Sequence, residues 1–278
     1  MKYKKTIILL TVLLAIFLAV VSSCGAFMSK TYARDSASMA AQGVGQDLVD
    51  LFFVVPLLLV SLIFVRRNDR TAYYLFGGTV FYIMYSFIIY GFGVHFNFLF
   101  LLYCFILGLS LYLFILVVLE LSGMDVESWY GPKTPIRFCS IYLILVALMF
   151  YALWLKDIVP SLFGNNVSTA LAESDLLVNP VHVIDIAFAL PGLILAAVFL
   201  LRKHRLGYVL APIALVFIII LAVALTGMVI MLKVRGISED MSVAGIFVVL
   251  AVFSSVLLVL FLKNITFKDA IKKASSQD

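Results

Sequence analysis

Charge is what this chain has least of. Only 13% of its 278 residues are Asp, Glu, Lys or Arg, where an ordinary globular chain carries about a quarter. With 64% hydrophobic residues and a mean hydropathy of +1.17, its main solvent is lipid. Cysteine is scarce too: Cys24, Cys104 and Cys139 have no C-x-x-C spacing, so neither a disulfide frame nor a zinc site is implied. G-x-S-x-G, H-E-x-x-H and Walker loops are all missing, and no midspan lysine is available for a retinal Schiff base. Three histidines do not suggest a bis-histidine haem. These absences lean the reading away from an enzyme. The net charge of +5 lies in short loops, where membrane topology itself requires basic residues, so nucleic acid is not the implied partner.

Eight apolar runs fill most of the chain, at 6–23, 47–65, 71–93, 98–121, 137–155, 180–201, 206–232 and 242–262. Each is long enough to cross the hydrocarbon, and a backbone without water must satisfy itself as helix. The expected fold is therefore an all-α integral membrane protein of eight transmembrane helices. If the amino terminus is cytoplasmic, 15 of the 20 Lys and Arg fall on that side, and only Lys30, Arg34, Lys156, Lys233 and Arg235 fall outside. That asymmetry predicts both termini in the cytoplasm.

The chain also resembles itself. At an offset of 135 residues, 50–75 lies ungapped on 185–210 with nine identities in 26. They include Asp50 with Asp185, Pro56 with Pro191, Arg67 with Arg202, Arg70 with Arg205 and Tyr73 with Tyr208, most of them types scarce in spans. The expected organisation is two tandem four-helix repeats, 1–134 and 135–278. An even number of crossings per repeat makes the two parallel, related by an axis along the membrane normal, as in some transporters.

Lys2, Lys4 and Lys5, an apolar stretch and then Val21-Ser22-Ser23-Cys24 resemble a bacterial lipoprotein signal. Cleavage there would remove the repeat partner of the fifth run, so the first run is read as a retained helix. From Asn264 onward, Ile265, Phe267 and Ile271 among lysines read as a short interfacial helix.

Candidate chemistry gathers at the outer ends of the second and sixth runs. Asp47 and Asp50 form D-x-x-D on one, His182 and Asp185 form H-x-x-D on the other, and Gln46 adjoins the first pair. Spacings of three and four put each set on one helix face. Three carboxylates and an imidazole suit a divalent cation, with His95 and Asn97, in the short outer turn after the third run, as further candidates to join them. Read instead as residues of a helix's first turn, the acids are dipole-compensating caps that need no ligand. Pro56 and Pro191, six residues below the acids, each remove a backbone donor and predict a helix break. Gly77-Gly78 and Pro212 are read as weak points of the third and seventh helices, and Tyr82, Tyr85, Tyr90, Tyr103 and Tyr112 as phenols lining a polar cavity or packed between helices.

The runs Gly45-Gln46-Asp47-Leu48, Tyr82-x-x-x-Ser86 with Tyr90-Gly91-Phe92-Gly93, and Phe96-Asn97-Phe98-Leu99-Phe100 look like those in uncharacterised bacterial multi-pass membrane proteins. The resemblance implies a bacterial inner-membrane setting and no activity. Three functions follow from the residues: a transporter-like or ion-handling protein with an outward-facing acidic site, a structural subunit that docks a membrane protein partner, and a metal-dependent membrane enzyme.

Overall fold

The computed structural model describes residues 3–164, 171 and 176–265; the basic tail read as an interfacial helix lies largely outside them. The described residues are all-helical with no strand. Eight helices are long and apolar enough to cross a membrane: α1 Lys4–Phe27, α2 Ala37–Arg66, α3 Arg70–Gly93, α4 Phe100–Ser122, α5 Ile136–Phe163, α6 Pro180–Leu201, α7 Arg205–Val234 and α8 Ser242–Leu262. The chain is a multi-pass membrane protein. We call the end with the 28–36 and 94–99 loops the upper face. The end with the 67–69, 123–135 and 202–204 connections is the lower face.

Two helix limits differ from the sequence reading, and one changes the chemistry. Apolarity places the start of the second helix at 47, but α2 begins at Ala37, where the Ser36 hydroxyl accepts from the Met39 amide at 3.3 Å. Apart from Met39 and Val44, residues 37–46 are small or polar, so they add helix while adding little hydropathy. Asp47 is therefore ten residues inside α2, far below the turn whose amides need a cap. Asp185 sits in the second turn of α6, whose cap is Asn179 accepting from Val181 at 2.9 Å. For Asp47 and Asp50 the capping role is overturned, since the free amides of the first turn are satisfied elsewhere. The fifth helix also runs eight residues past its expected end, to Phe163.

Each of α2 and α6 contains one wide π turn, Asp50–Val54 and Asp185–Ala189. Each opens on the acid and closes just before the proline, with the Val55 amide reaching back to the Asp50 carbonyl and the Leu190 amide to the Asp185 carbonyl. Proline cannot donate, and its ring clashes with the carbonyl four residues back; a π bulge absorbs both by adding a residue to the turn. The expected helix breaks are thus local widenings, and the helices continue through them. Below, Asn68 and Lys203 hold left-handed backbone at φ 59° and 53°, and the next helices start at Arg70 and Arg205. Every one of these pairs is 135 residues apart.

Packing places α3 and α7 at the centre, against each other, with α2 and α6 flanking and α8 the most lipid-exposed. α3 is the least apolar of the eight and the most buried. Its tyrosine hydroxyls would go unpaired in lipid, so burial among partners is where such a helix is stable. Gly77 and Gly78 do not break α3. They seat Ile213 and Val216 of α7 at the central crossing, where a Cβ on Gly78 would overlap the Val216 side chain. Higher up, Gly45 of α2 lies on Gly227 of α7, so close that a Cβ would come within 2.8 Å of the Met228 Cα. α1 packs on α2 and α4, burying Leu14, Leu18 and Val21.

Candidate functional site: three carboxylates and a ladder of phenols

One helix supplies a donor to each of the three acids. Along α3, Tyr82 donates to Asp50 Oδ1 at 2.8 Å, Tyr85 to Asp185 Oδ1 at 2.9 Å and Tyr90 to Asp47 Oδ1 at 3.0 Å. Spacings of three and five residues turn the ladder from α2 toward α6 and back. Hydrogen bonds to an ionised acceptor are the stronger kind, and water-excluded surroundings strengthen them further.

The three acids are housed differently. Asp47 is fully closed off and accepts a second hydroxyl, that of Tyr32 from the 28–36 loop. Its carboxylate lies where a Cβ on Gly25 would be, so glycine at that point of α1 lets α2 approach. Above it Tyr103 accepts from the Asn97 amide at 3.2 Å, and Asn97 also donates to the Thr31 carbonyl at 3.1 Å. His95 meets Asp35 through its backbone amide at 2.9 Å and its ring Nδ1 at 3.0 Å. His95 and Asn97 therefore tie the upper loops together and do not join Asp47 or Asp50. Tyr32, in that loop, has its phenol pushed well above the usual range, by burial first and by Asp47 next.

Asp50 is 1% exposed, takes the Tyr82 hydroxyl on Oδ1 and has no hydrogen-bond partner on Oδ2. Gln46, one turn above on the same helix, adjoins both Asp50 and Tyr82.

Asp185, 7% exposed, stands on the wall of a cavity of about 330 Å3. Besides Tyr85, its carboxylate accepts from the Trp154 indole of α5 at 2.8 Å on Oδ2. The cavity runs from Ser38, Val94 and Asn179 at the upper face down to Ser86 and Leu221 in the bundle, and Gln46 and Tyr90 share its wall. Beneath it a second void of about 30 Å3, room for one water, shares Asp185, Phe150, Leu221 and Leu225 with the cavity and continues toward Leu193. The Tyr151 hydroxyl donates at 3.2 Å to the Ile186 carbonyl inside the π turn, so the turn has a partner outside its own helix.

The four residues singled out from sequence therefore do not converge. Asp47 and Asp50 share α2 and take the Tyr90 and Tyr82 hydroxyls of α3, Asp185 faces the cavity, and His182 lies against the Trp154 ring with centroids 4.8 Å apart and Nε2 unpartnered. Among the described residues no three His, Cys, Asp or Glu side chains are placed to hold a metal ion. Sequence reasoning missed Trp154 and Tyr32, because nothing in spacing links 154 to 185 or 32 to 47. It grouped Tyr112 with the ladder, whereas Tyr112 is 65% exposed on the outer side of α4. No protein-family model, curated protein or solved structure matches the chain, so the site is read on its own chemistry.

Proposed function

We propose that this chain is a transporter-like membrane protein that binds a small ion or solute at Asp185, in a cavity reached from the upper face. The observation that supports this is the position of Asp185, an ionisable group within a span, at the junction between that cavity and the void below. Intramembrane acids are costly, and those that persist facing a cavity mark pathways. The π turn at Asp185 adds weight, since such bulges favour functional sites and put irregular backbone beside a cavity.

The proposal includes the architecture of two parallel four-helix repeats, 1–134 and 135–278. Its support is the recurrence at 135 residues of the π turns, the prolines, the left-handed residues and the starts of α3 and α7. The crossings recur as well: Gly45 meets Gly227, and the equivalent of Gly45, Pro180, meets Gly93, where a Cβ would come within 2.8 Å of the proline ring. Most basic residues lie at the lower face, which we read as cytoplasmic, in a bacterial inner membrane with both termini inside.

Transport requires the site to open to both sides. With Cys24, Cys104 and Cys139 replaced, Leu221→Cys at the cavity floor should react with a membrane-impermeant thiol reagent from either side of sealed proteoliposomes. Labelling from the upper side alone would leave a fixed receptor pocket and end the transport reading.

A further inference from the structure

The chemistry lining the Asp185 cavity selects one class of solute, and this assignment rests on the binding reading above. Among the described residues of the lining, Asp185 is the sole charged side chain, and no lysine, arginine or histidine shares the wall. Its two donors, Tyr85 and Trp154, are neutral, so they orient the carboxylate without cancelling its charge. A carboxylate offers about four lone-pair positions; the phenol and the indole use two.

The aromatic side chains have used their polar handles. The Tyr85 hydroxyl and the Trp154 N–H are on Asp185, and the Tyr90 hydroxyl is on Asp47. What Tyr85, Tyr90, Trp154 and Phe150 have left for the cavity is ring surface. Rings beside a carboxylate attract a diffuse cation with an alkyl shell, tryptophan most strongly. A metal ion would need several oxygen ligands at one point; Asp185 is one carboxylate, and among the described residues no three His, Cys, Asp or Glu side chains are placed to hold a metal ion. An anion would meet an uncompensated carboxylate. A cavity of about 330 Å3 is at the small end of the usual range.

We infer that the cavity binds a small organic cation, an amine or quaternary ammonium ion, with its charge on Asp185 and its alkyl groups against Trp154, Tyr85 and Phe150. Anions and hydrated metal ions are excluded from the same place.

The chain has two tryptophans, so Trp129→Phe leaves Trp154 as a single fluorescent reporter in the site. Purified Trp129→Phe protein is titrated with choline, with its neutral isostere 3,3-dimethylbutan-1-ol, and with calcium and potassium chloride. Choline should change the emission saturably, and the alcohol should bind at least tenfold more weakly. Adding Asp185→Asn should abolish the choline response, while Asp50→Asn, which alters an acid outside the cavity, should keep it. Melting curves and gel filtration show whether each variant is folded. If Asp185→Asn does not fold, the choline-to-alcohol ratio in the parent carries the test alone. Equal binding of the alcohol, or a response only to calcium, overturns the cation assignment and leaves a solute site standing. No response to any probe overturns it as well, and two-sided labelling of Leu221→Cys then judges transport separately.

Discussion

Asp50 and Asp185 occupy the same place in two copies of one local structure, yet they face different surroundings. Each opens a π turn that ends before a proline, each takes a phenol from α3, and they stand 135 residues apart. Asp50 is sealed between α2 and α3, with one oxygen unpartnered; Asp185 has both oxygens engaged and stands on a cavity wall. The partners explain the divergence. The residue equivalent to Tyr82 in α7 is Phe217, which cannot donate and packs its ring on Tyr85 at 5.2 Å instead. Asp185 therefore depends on Tyr85 from α3 and on Trp154 from α5, and both stand at the cavity. A recurring backbone motif fixes where a carboxylate sits, whereas its neighbours decide whether it is structural or accessible.

The largest test of this contrast uses glycine. A methyl group on Gly25 would overlap the Asp47 carboxylate and come within 2.8 Å of the Tyr32 hydroxyl. Gly25→Ala should cost about 3 kcal/mol through overpacking and the loss of hydrogen bonds to a buried acid. Gly192, in the α6 segment below Asp185, has nothing within 4 Å of an added Cβ. Gly192→Ala should be neutral or stabilising by up to about 1 kcal/mol, since alanine favours helix. Unfolding in mixed micelles measures both. A Gly25→Ala protein as stable as wild type would show that the region around Asp47 is not sealed.

A smaller difference separates the phenols. Tyr82→Phe removes the hydroxyl on Asp50 Oδ1 where water has no access, and should cost about 1–3 kcal/mol. Tyr85→Phe leaves Asp185 with Trp154 and a cavity able to admit water, and should cost about 0.6 kcal/mol, the average for interhelical hydrogen bonds in membranes. The reverse ranking would make Asp185 the structural acid and Asp50 the accessible one.

The sequence carried the eight spans, because a helix in lipid must be apolar over a fixed length, and it carried the acid-and-proline spacing, because local backbone constraints repeat with it. The start of α2 was less legible. Apart from Met39 and Val44, residues 37–46 are alanine, glycine, serine and glutamine, capped by Ser36 but weak in hydropathy. That one boundary turned Asp47 from a first-turn cap into a mid-helix acid. The donors were legible as tyrosines on α3 but not as pairs, because which acid each one meets depends on how α2, α3 and α6 cross. Trp154 left no trace at all: its link to Asp185 exists only once α5 lies against α6.

The smallest effect at neutral pH belongs to Tyr32, and it has a signature of its own. Asp47 keeps the Tyr90 hydroxyl when Tyr32→Phe removes the other, so the loss should be about 1 kcal/mol or less at pH 7. Burial and Asp47 raise the Tyr32 phenol, so between the ordinary value near 10 and its own higher value the folded chain holds a proton that the unfolded chain has released. Stability then falls as pH rises past about 10, by up to about 1.4 kcal/mol per pH unit for this one proton. Tyr32→Phe removes that proton from the balance. Stability measured between pH 8 and 11 should therefore decline less steeply in the variant, and the two curves should converge at the alkaline end. Parallel curves would mean that the Tyr32 hydroxyl reaches water, and that the seal over Asp47 is open in solution.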